Sequence, residues 1–204
     1  MKHKLYRGFI SIITIGILAF SPVSAQAAGG YNVGEILDTV KNPNAPGEFP
    51  IRRGFFDGEQ GFGYDKAYHK HGLRNIEAIK KVGRSPLSSW EGNSLVARAY
   101  AGTYTCGWWG RCTLQDEREI RVVFTVDAQY GDMKFDSQLG LLTAYCKNPD
   151  NAPLCPDWVE SSILYPETNI LYGQVPNDVF SNSYKEGSKV EVFSYEQLPE
   201  IIGK

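Results

Sequence analysis

The chain is short of histidine, of long apolar runs and of excess positive charge, and each shortage narrows what it can be. Only three of its 204 residues are histidines: His3, His69 and His71. Imidazole, with an ordinary pKa of about 6.5, is the side chain that both takes and gives a proton near neutrality. Acid–base chemistry through histidine is therefore confined to these three positions. The most apolar stretch, Phe9 to Phe20, is shorter than the roughly 20 residues a helix needs to cross a bilayer, so no stable membrane insertion is expected. The formal charge of −2 lacks the basic excess of proteins that coat duplex nucleic acid. Also missing are the G-x-S-x-G, P-loop, H-E-x-x-H and dinucleotide-binding patterns, so none of those sites is signalled.

What is present begins with a leader. Lys2, Lys4 and Arg7 precede the apolar stretch, and Ala25-Gln26-Ala27 supplies small residues for cleavage after Ala27. Residues 1–27 thus read as a signal peptide and the mature protein as exported, periplasmic or secreted. Loss of those three cations shifts the formal charge from −2 to −5. His3 leaves with the leader, so His69 and His71 remain. All four cysteines lie in the mature part, and an even number in an oxidising compartment implies two disulfides. Of three connectivities, Cys106–Cys112 and Cys146–Cys155 are expected, because each pair brackets a short turn-rich segment. Each loop contributes about 2 to 3 kcal/mol. A zinc site does not fit the spacing, since neither pair is C-x-x-C and the histidines lie far upstream; neither metal nor other cofactor is expected.

Residues 28–50, with Gly29, Gly30, Pro43, Pro46 and Pro50, read as an extended lead-in with at most a helical turn around Ile36 to Val40. Residues 51–204 are expected to form a single domain, and a monomer. Leu73, Ile76, Ile79 and Val82 put an apolar stripe on a helix. Gly72 splits the helical region into a first helix bearing the histidines and a second starting near Asn75, ended by Gly83 and Pro86. Strands are expected at Leu95 to Tyr104, Ile120 to Val126, Leu139 to Tyr145, Ile170 to Val175 and Val190 to Tyr195. The fold class is therefore α+β: N-terminal helices packed on a mostly antiparallel, twisted sheet, with two disulfides.

Lys66, Lys70, Arg74, Lys80, Lys81 and Arg84 crowd around Asp65 and Glu77. Such a patch meets a few phosphates, and it also fits a solvated helix face. The order Lys70-His71-Gly72, then Arg84, then Arg121 to Val126, then Leu142-Thr143-Ala144-Tyr145 resembles the toxin ribonucleases of bacterial competition systems. These comprise the RNase A-like bacterial toxin domains and the wider barnase, EndoU, colicin E5 and RelE group. The resemblance spans roughly residues 53–146. It implies that His71 is the catalytic histidine, that Arg84 or Lys81 meets the phosphate, and that Thr143 and Tyr145 line the same cleft. The implied activity is metal-independent cleavage of RNA through a 2′,3′-cyclic phosphate. RNA is then the substrate, and an immunity or inhibitor protein the partner.

Spacing constrains the roles. Residues two apart diverge by about 200° on a helix, so His69 and His71 do not serve as a facing base and acid. His71 is the expected acid–base residue and Tyr145 or a lysine a second proton carrier. Arg84 and Lys81 stabilise charge, Lys70 and His69 support, and Thr143 donates a hydrogen bond. Trp108 and Trp109, inside the first disulfide loop, are candidates for stacking on bases. Other readings of the same residues stand beside these. Thr143 and Tyr145 fit a half-buried strand, and Arg84 fits a cation at a helix C-terminus. A non-catalytic exported protein that binds a protein or glycan through its disulfide-tied loops is the alternative function. For an ADP-ribosyltransferase, Glu191, Glu196 and Glu200 are wrongly spaced.

Overall fold

The computed structural model describes residues 30–107, 111–166, 168–170 and 186–202. The leader at 1–27, Trp108, Trp109 and most of the strand expected at Ile170 to Val175 lie outside them. In chain order the elements are β1 (Ile36–Lys41), β2 (Glu48–Arg52), β3 (Phe55–Phe56), β4 (Gly61–Phe62), α1 (Gly63–His71), α2 (Ile76–Gly83), β5 (Ser88–Glu91) and β6 (Ser94–Cys106). There follow β7 (Cys112–Thr125), β8 (Gln129–Tyr130), β9 (Met133–Lys134), β10 (Gly140–Lys147), α3 (Asp157–Leu164), β11 (Thr168–Ile170), β12 (Lys189–Ser194) and β13 (Ile201–Ile202). The fold is α+β, with three helices in the described residues, antiparallel sheets and two disulfides.

A seven-stranded sheet runs β10-β7-β6-β12-β11, with β5 also on β6 and β13 also on β7. Its pairs are antiparallel except β11 with β12. Side chains alternate across a strand, and here the alternation separates a covered face from a more open one. Leu95, Ala99, Ile120, Val122, Phe124 and Ala144 meet the helices through Leu73, Ile79, Val82, Val159 and Ile163. At the far end of the opposite face, Leu198 packs with Tyr104, Val190 and Val192.

The two short helices form where the periodicity places them. Asn75 caps α2 by accepting from the Glu77 N–H at 2.8 Å, and Ile79 and Val82 are fully buried. Gly72 ends α1 in the left-handed region, φ 73°, and its N–H closes back on Ala67 and Tyr68 carbonyls. That conformation favours glycine, and it turns the chain immediately after His71.

Three expectations need correction. The segment at 28–50 is not simply a lead-in: Ile36 to Lys41 is a strand rather than a helical turn, paired with β2. Val40, Phe49 and Ile51 join the main core. The helices are not N-terminal in the described chain, because two hairpins precede α1, and α3 lies beyond the second disulfide. Finally, β7 begins at Cys112 instead of Ile120. Its polar first half is held by pairing with β6 out to Cys106, where the Cys106–Cys112 bond closes the hairpin. The Cys146–Cys155 bond is also formed. Two disulfides fit an oxidising setting. Among the described residues no helix is long and apolar enough to cross a membrane.

Candidate functional site

His71 is the last residue of α1, half-buried beside the edge strand β10. Two groups of one short loop hold it. The Pro153 carbonyl lies 3.1 Å from His71 Nδ1, and the Cys155 N–H donates to the His71 carbonyl at 2.8 Å. A carbonyl only accepts, so Nδ1 carries the hydrogen and, in the neutral ring, Nε2 keeps the free lone pair. Burial, the largest influence, lowers the His71 pKa below its ordinary value; the Pro153 acceptor works against this, and Lys66 and Lys70 add to the lowering. Lys66 is itself half-buried and pushed down by burial and by Lys70. Lys70 lies one turn further along, with Nζ 5.7 Å from the Phe56 ring centre and 3.5 Å from the Glu59 carbonyl.

The Cys146–Cys155 bond joins that loop to β10 next to Tyr145. The His71 and Tyr145 rings lie 5.6 Å apart between centres. Tyr145 pairs in register with Arg121 of β7. The Arg121 Nε donates to Glu119 at 2.8 Å, and Glu119 first, with Tyr145 contributing, raises the Arg121 pKa. Thr143 sits two residues before Tyr145, opposite Val123; its Oγ1 is buried and finds no partner among the protein's atoms.

A β-bulge aims both residues. Leu141 packs into the core opposite Phe124, and the register shifts between Leu141 and Thr143. Strict alternation would have put Thr143 and Tyr145 on the same buried face as Leu141. The extra residue, Leu142, reverses the pattern and turns both onto the open face.

The sequence-expected residues therefore divide. His71 and Tyr145 come together, with Thr143 next along the strand and Lys70 beside His71 on α1. Arg84 instead caps α2 exposed to solvent, where its charge acts on Asp38 of β1. Lys81 donates to the Ile163 carbonyl at 2.7 Å and lies 4.7 Å from the Phe193 ring centre, which fixes it between α2, α3 and β12. Neither shares a partner with His71. His69 points outward against Tyr68, 4.7 Å between ring centres. Trp108 and Trp109 lie outside the described residues.

Arg121, Glu119 and Lys66 complete the cluster, and sequence reasoning missed their place in it. Lys66 was legible as part of the cationic patch; Arg121 and Glu119 required the strand register. Among the described residues no three His, Cys, Asp or Glu side chains converge as metal ligands. A cavity of about 730 Å³ lies at the other end of β10, lined by Thr125, Asp127, Tyr130, Lys134 and Phe135 among others, and contains neither His71 nor Tyr145. Its Asp127 is engaged by Asn93 and Thr125. The chemistry-bearing cluster is the better candidate, because an imidazole nitrogen with a free lone pair, a phenol and several cations meet there. Comparison with known protein families, curated proteins and solved structures finds no match for the chain.

Proposed function

We propose that the protein is an exported, metal-independent endoribonuclease, and that RNA is cut beside His71. The observation that carries this reading is the Nδ1–H bond from His71 to Pro153, with Tyr145 as the ring neighbour. That bond supports Nε2 as a base for a ribose 2′-hydroxyl proton. The freed 2′-oxygen attacks the adjacent phosphorus, the bond to the 5′-oxygen breaks, and a 2′,3′-cyclic phosphate forms. Tyr145 gives its phenolic proton to the departing 5′-oxygen. Arg121, beside the Tyr145 hydroxyl, and the lysines Lys66 and Lys70 oppose the extra negative charge that gathers on the phosphoryl oxygens. Arg121 takes the role that the resemblance assigned to Arg84 or Lys81.

Released outside the cell that made it, such an enzyme acts as a toxin or effector, and an inhibitor protein that covers the cationic cluster belongs to the same proposal. The test is incubation of the mature, disulfide-intact protein with total RNA in EDTA, beside His71→Ala. Cleavage that survives EDTA and is lost in the variant supports the reading. Intact RNA at high protein concentration rejects it and leaves a non-catalytic binding protein as the account.

A further inference from the structure

The open sheet face next to Tyr145 continues past Arg121 into charges that the cleavage step does not use, Arg98 and Lys147. Arg98 and Arg121 are register partners on β6 and β7, and like charges placed directly opposite one another on a sheet repel. Glu119 stands against both: its Oε1 is 2.8 Å from Arg121 Nε and 3.8 Å from Arg98 Nε, and its Oε2 is 3.8 Å from Lys147 Nζ. Arg98 also reaches Glu91 at 3.0 Å. Three cations therefore surround a single central carboxylate, and their side chains keep 24 to 62% of their surface exposed.

The hydrogen bonding on this face is incomplete. Among the described residues three buried side-chain polar atoms make no hydrogen bond: Arg52 Nε, Arg98 Nε and Thr143 Oγ1. Two of the three belong to this face, on β6 and β10, with β7 between them. A buried donor without a hydrogen bond is rare in a folded protein, and Arg98 Nε faces Glu119 only as a long ion pair. The Tyr100 ring adjoins the same group, since its hydroxyl feels Glu119, Glu117, Arg98 and Arg121. Beyond Tyr100 the face is closed by the C-terminal segment, where Leu198 donates its N–H to Glu117 at 3.2 Å.

We propose that Arg98, with Lys147, binds the phosphodiester next to the one cleaved, Arg121 being left to the scissile phosphate, so that the substrate is a single strand laid across the open sheet face from His71 toward Tyr100. The guanidinium forks suit phosphate oxygens, and a flexible strand, unlike a duplex, follows a face that ends at a wall. Tyr100 supplies a ring on which a base stacks. The inference rests on the ribonuclease reading for the identity of the strand, but the phosphate site is tested separately from cleavage.

The experiment has a binding arm and a kinetic arm. Binding of a 2′-deoxy decanucleotide, which lacks the attacking hydroxyl, is followed by fluorescence anisotropy over a range of salt for the wild-type protein, Arg98→Gln and Arg98→Lys. Loss of one phosphate contact in Arg98→Gln lowers affinity about tenfold and reduces the slope of log affinity against log salt by about 0.7. Arg98→Lys keeps the charge and the slope; thermal unfolding verifies that both variants fold. In the kinetic arm, kcat/KM for an oligoribonucleotide relative to a dinucleoside monophosphate, which has only the scissile phosphate, falls about tenfold in Arg98→Gln. No binding by the wild-type protein, or a slope and a ratio indifferent to Arg98→Gln, overturns the proposal. Arg98-dependent binding without any cleavage upholds the phosphate site and rejects the ribonuclease. Cleavage with no Arg98 dependence does the reverse.

Discussion

Cys155 donates its backbone N–H to the carbonyl of His71 at 2.8 Å. Because Cys155 is also bonded to Cys146, one covalent link fixes the loop that grips His71 and the strand position beside Tyr145. Replacing Cys146 and Cys155 together by serine therefore has two expected effects. Stability falls by about 2 to 3 kcal/mol, as for a short closed loop, measured by denaturant unfolding. RNA cleavage falls by at least about tenfold under conditions where the variant is still folded, and the His71 titration followed by NMR moves up, since loosening the loop removes the burial that lowers it. Unchanged cleavage by the folded double variant would separate the disulfide from the site.

If His71 is the base of the proposed cleavage, it links both activity and stability to pH. Its folded pKa lies below the ordinary value of about 6.5, so the unfolded chain binds the proton more readily. The stability it contributes is complete above about 6.5 and is lost as pH falls from there through the depressed folded value. The acid limb of kcat/KM reports the same group and is expected below 6.5. Lys66→Met removes a cation that lowers the His71 pKa and should shift that limb to higher pH. A shift the other way contradicts the placement of Lys66.

Arg121 and Arg84 separate the structural assignment from the one the resemblance suggested. Arg121→Gln should lower kcat/KM by about 10² or more, in the range of a lost oxyanion-stabilising donor, whereas Arg84→Gln should leave it within about twofold. Lys81→Met acts on stability, about 1 to 2 kcal/mol for a lost charged hydrogen bond, with its contact to Ile163 broken. Steady-state kinetics beside thermal unfolding decides, and a larger kinetic loss at Arg84 than at Arg121 refutes the assignment.

Asn42 tests the part of the fold that the sequence concealed. It is fully buried and donates to the Gly83 and Ser85 carbonyls at 2.7 and 3.0 Å, which ties the β1–β2 hairpin to the end of α2. Asn42→Ala leaves both carbonyls unpaired and should cost about 2 to 3 kcal/mol, read as a lowered midpoint in urea. Cleavage per folded molecule should not change.

The parts legible in the sequence were those fixed by local pattern. The apolar stripe through Ile76, Ile79 and Val82 gave α2, the break at Gly72 gave the end of α1, Leu73 being buried in the turn between them, and two tight cysteine spacings gave the disulfides. What escaped was set by pairing between distant segments. Ile36 to Lys41 alternates too weakly to announce a strand until β2 lies against it, and the charged run from Asp116 to Glu119 falls before the strand expected from Ile120 although β6 holds it in a ladder. At the site, His71 and Tyr145 were recognisable as chemical types in a familiar order. Arg121 stood in the same order but with no role assigned, because its position opposite Tyr145 depends on register and on the bulge at Leu142, neither of which leaves a local mark.

The most direct test of the account uses a DNA oligonucleotide with a single ribonucleotide. If His71 takes the 2′-hydroxyl proton, the chain cuts only after that ribose, in EDTA, and the new end is a 2′,3′-cyclic phosphate by ³¹P NMR; the all-deoxy strand and the His71→Ala reaction stay intact. Cleavage at deoxy positions, an end formed without the cyclic phosphate, or equal cutting by His71→Ala would contradict it.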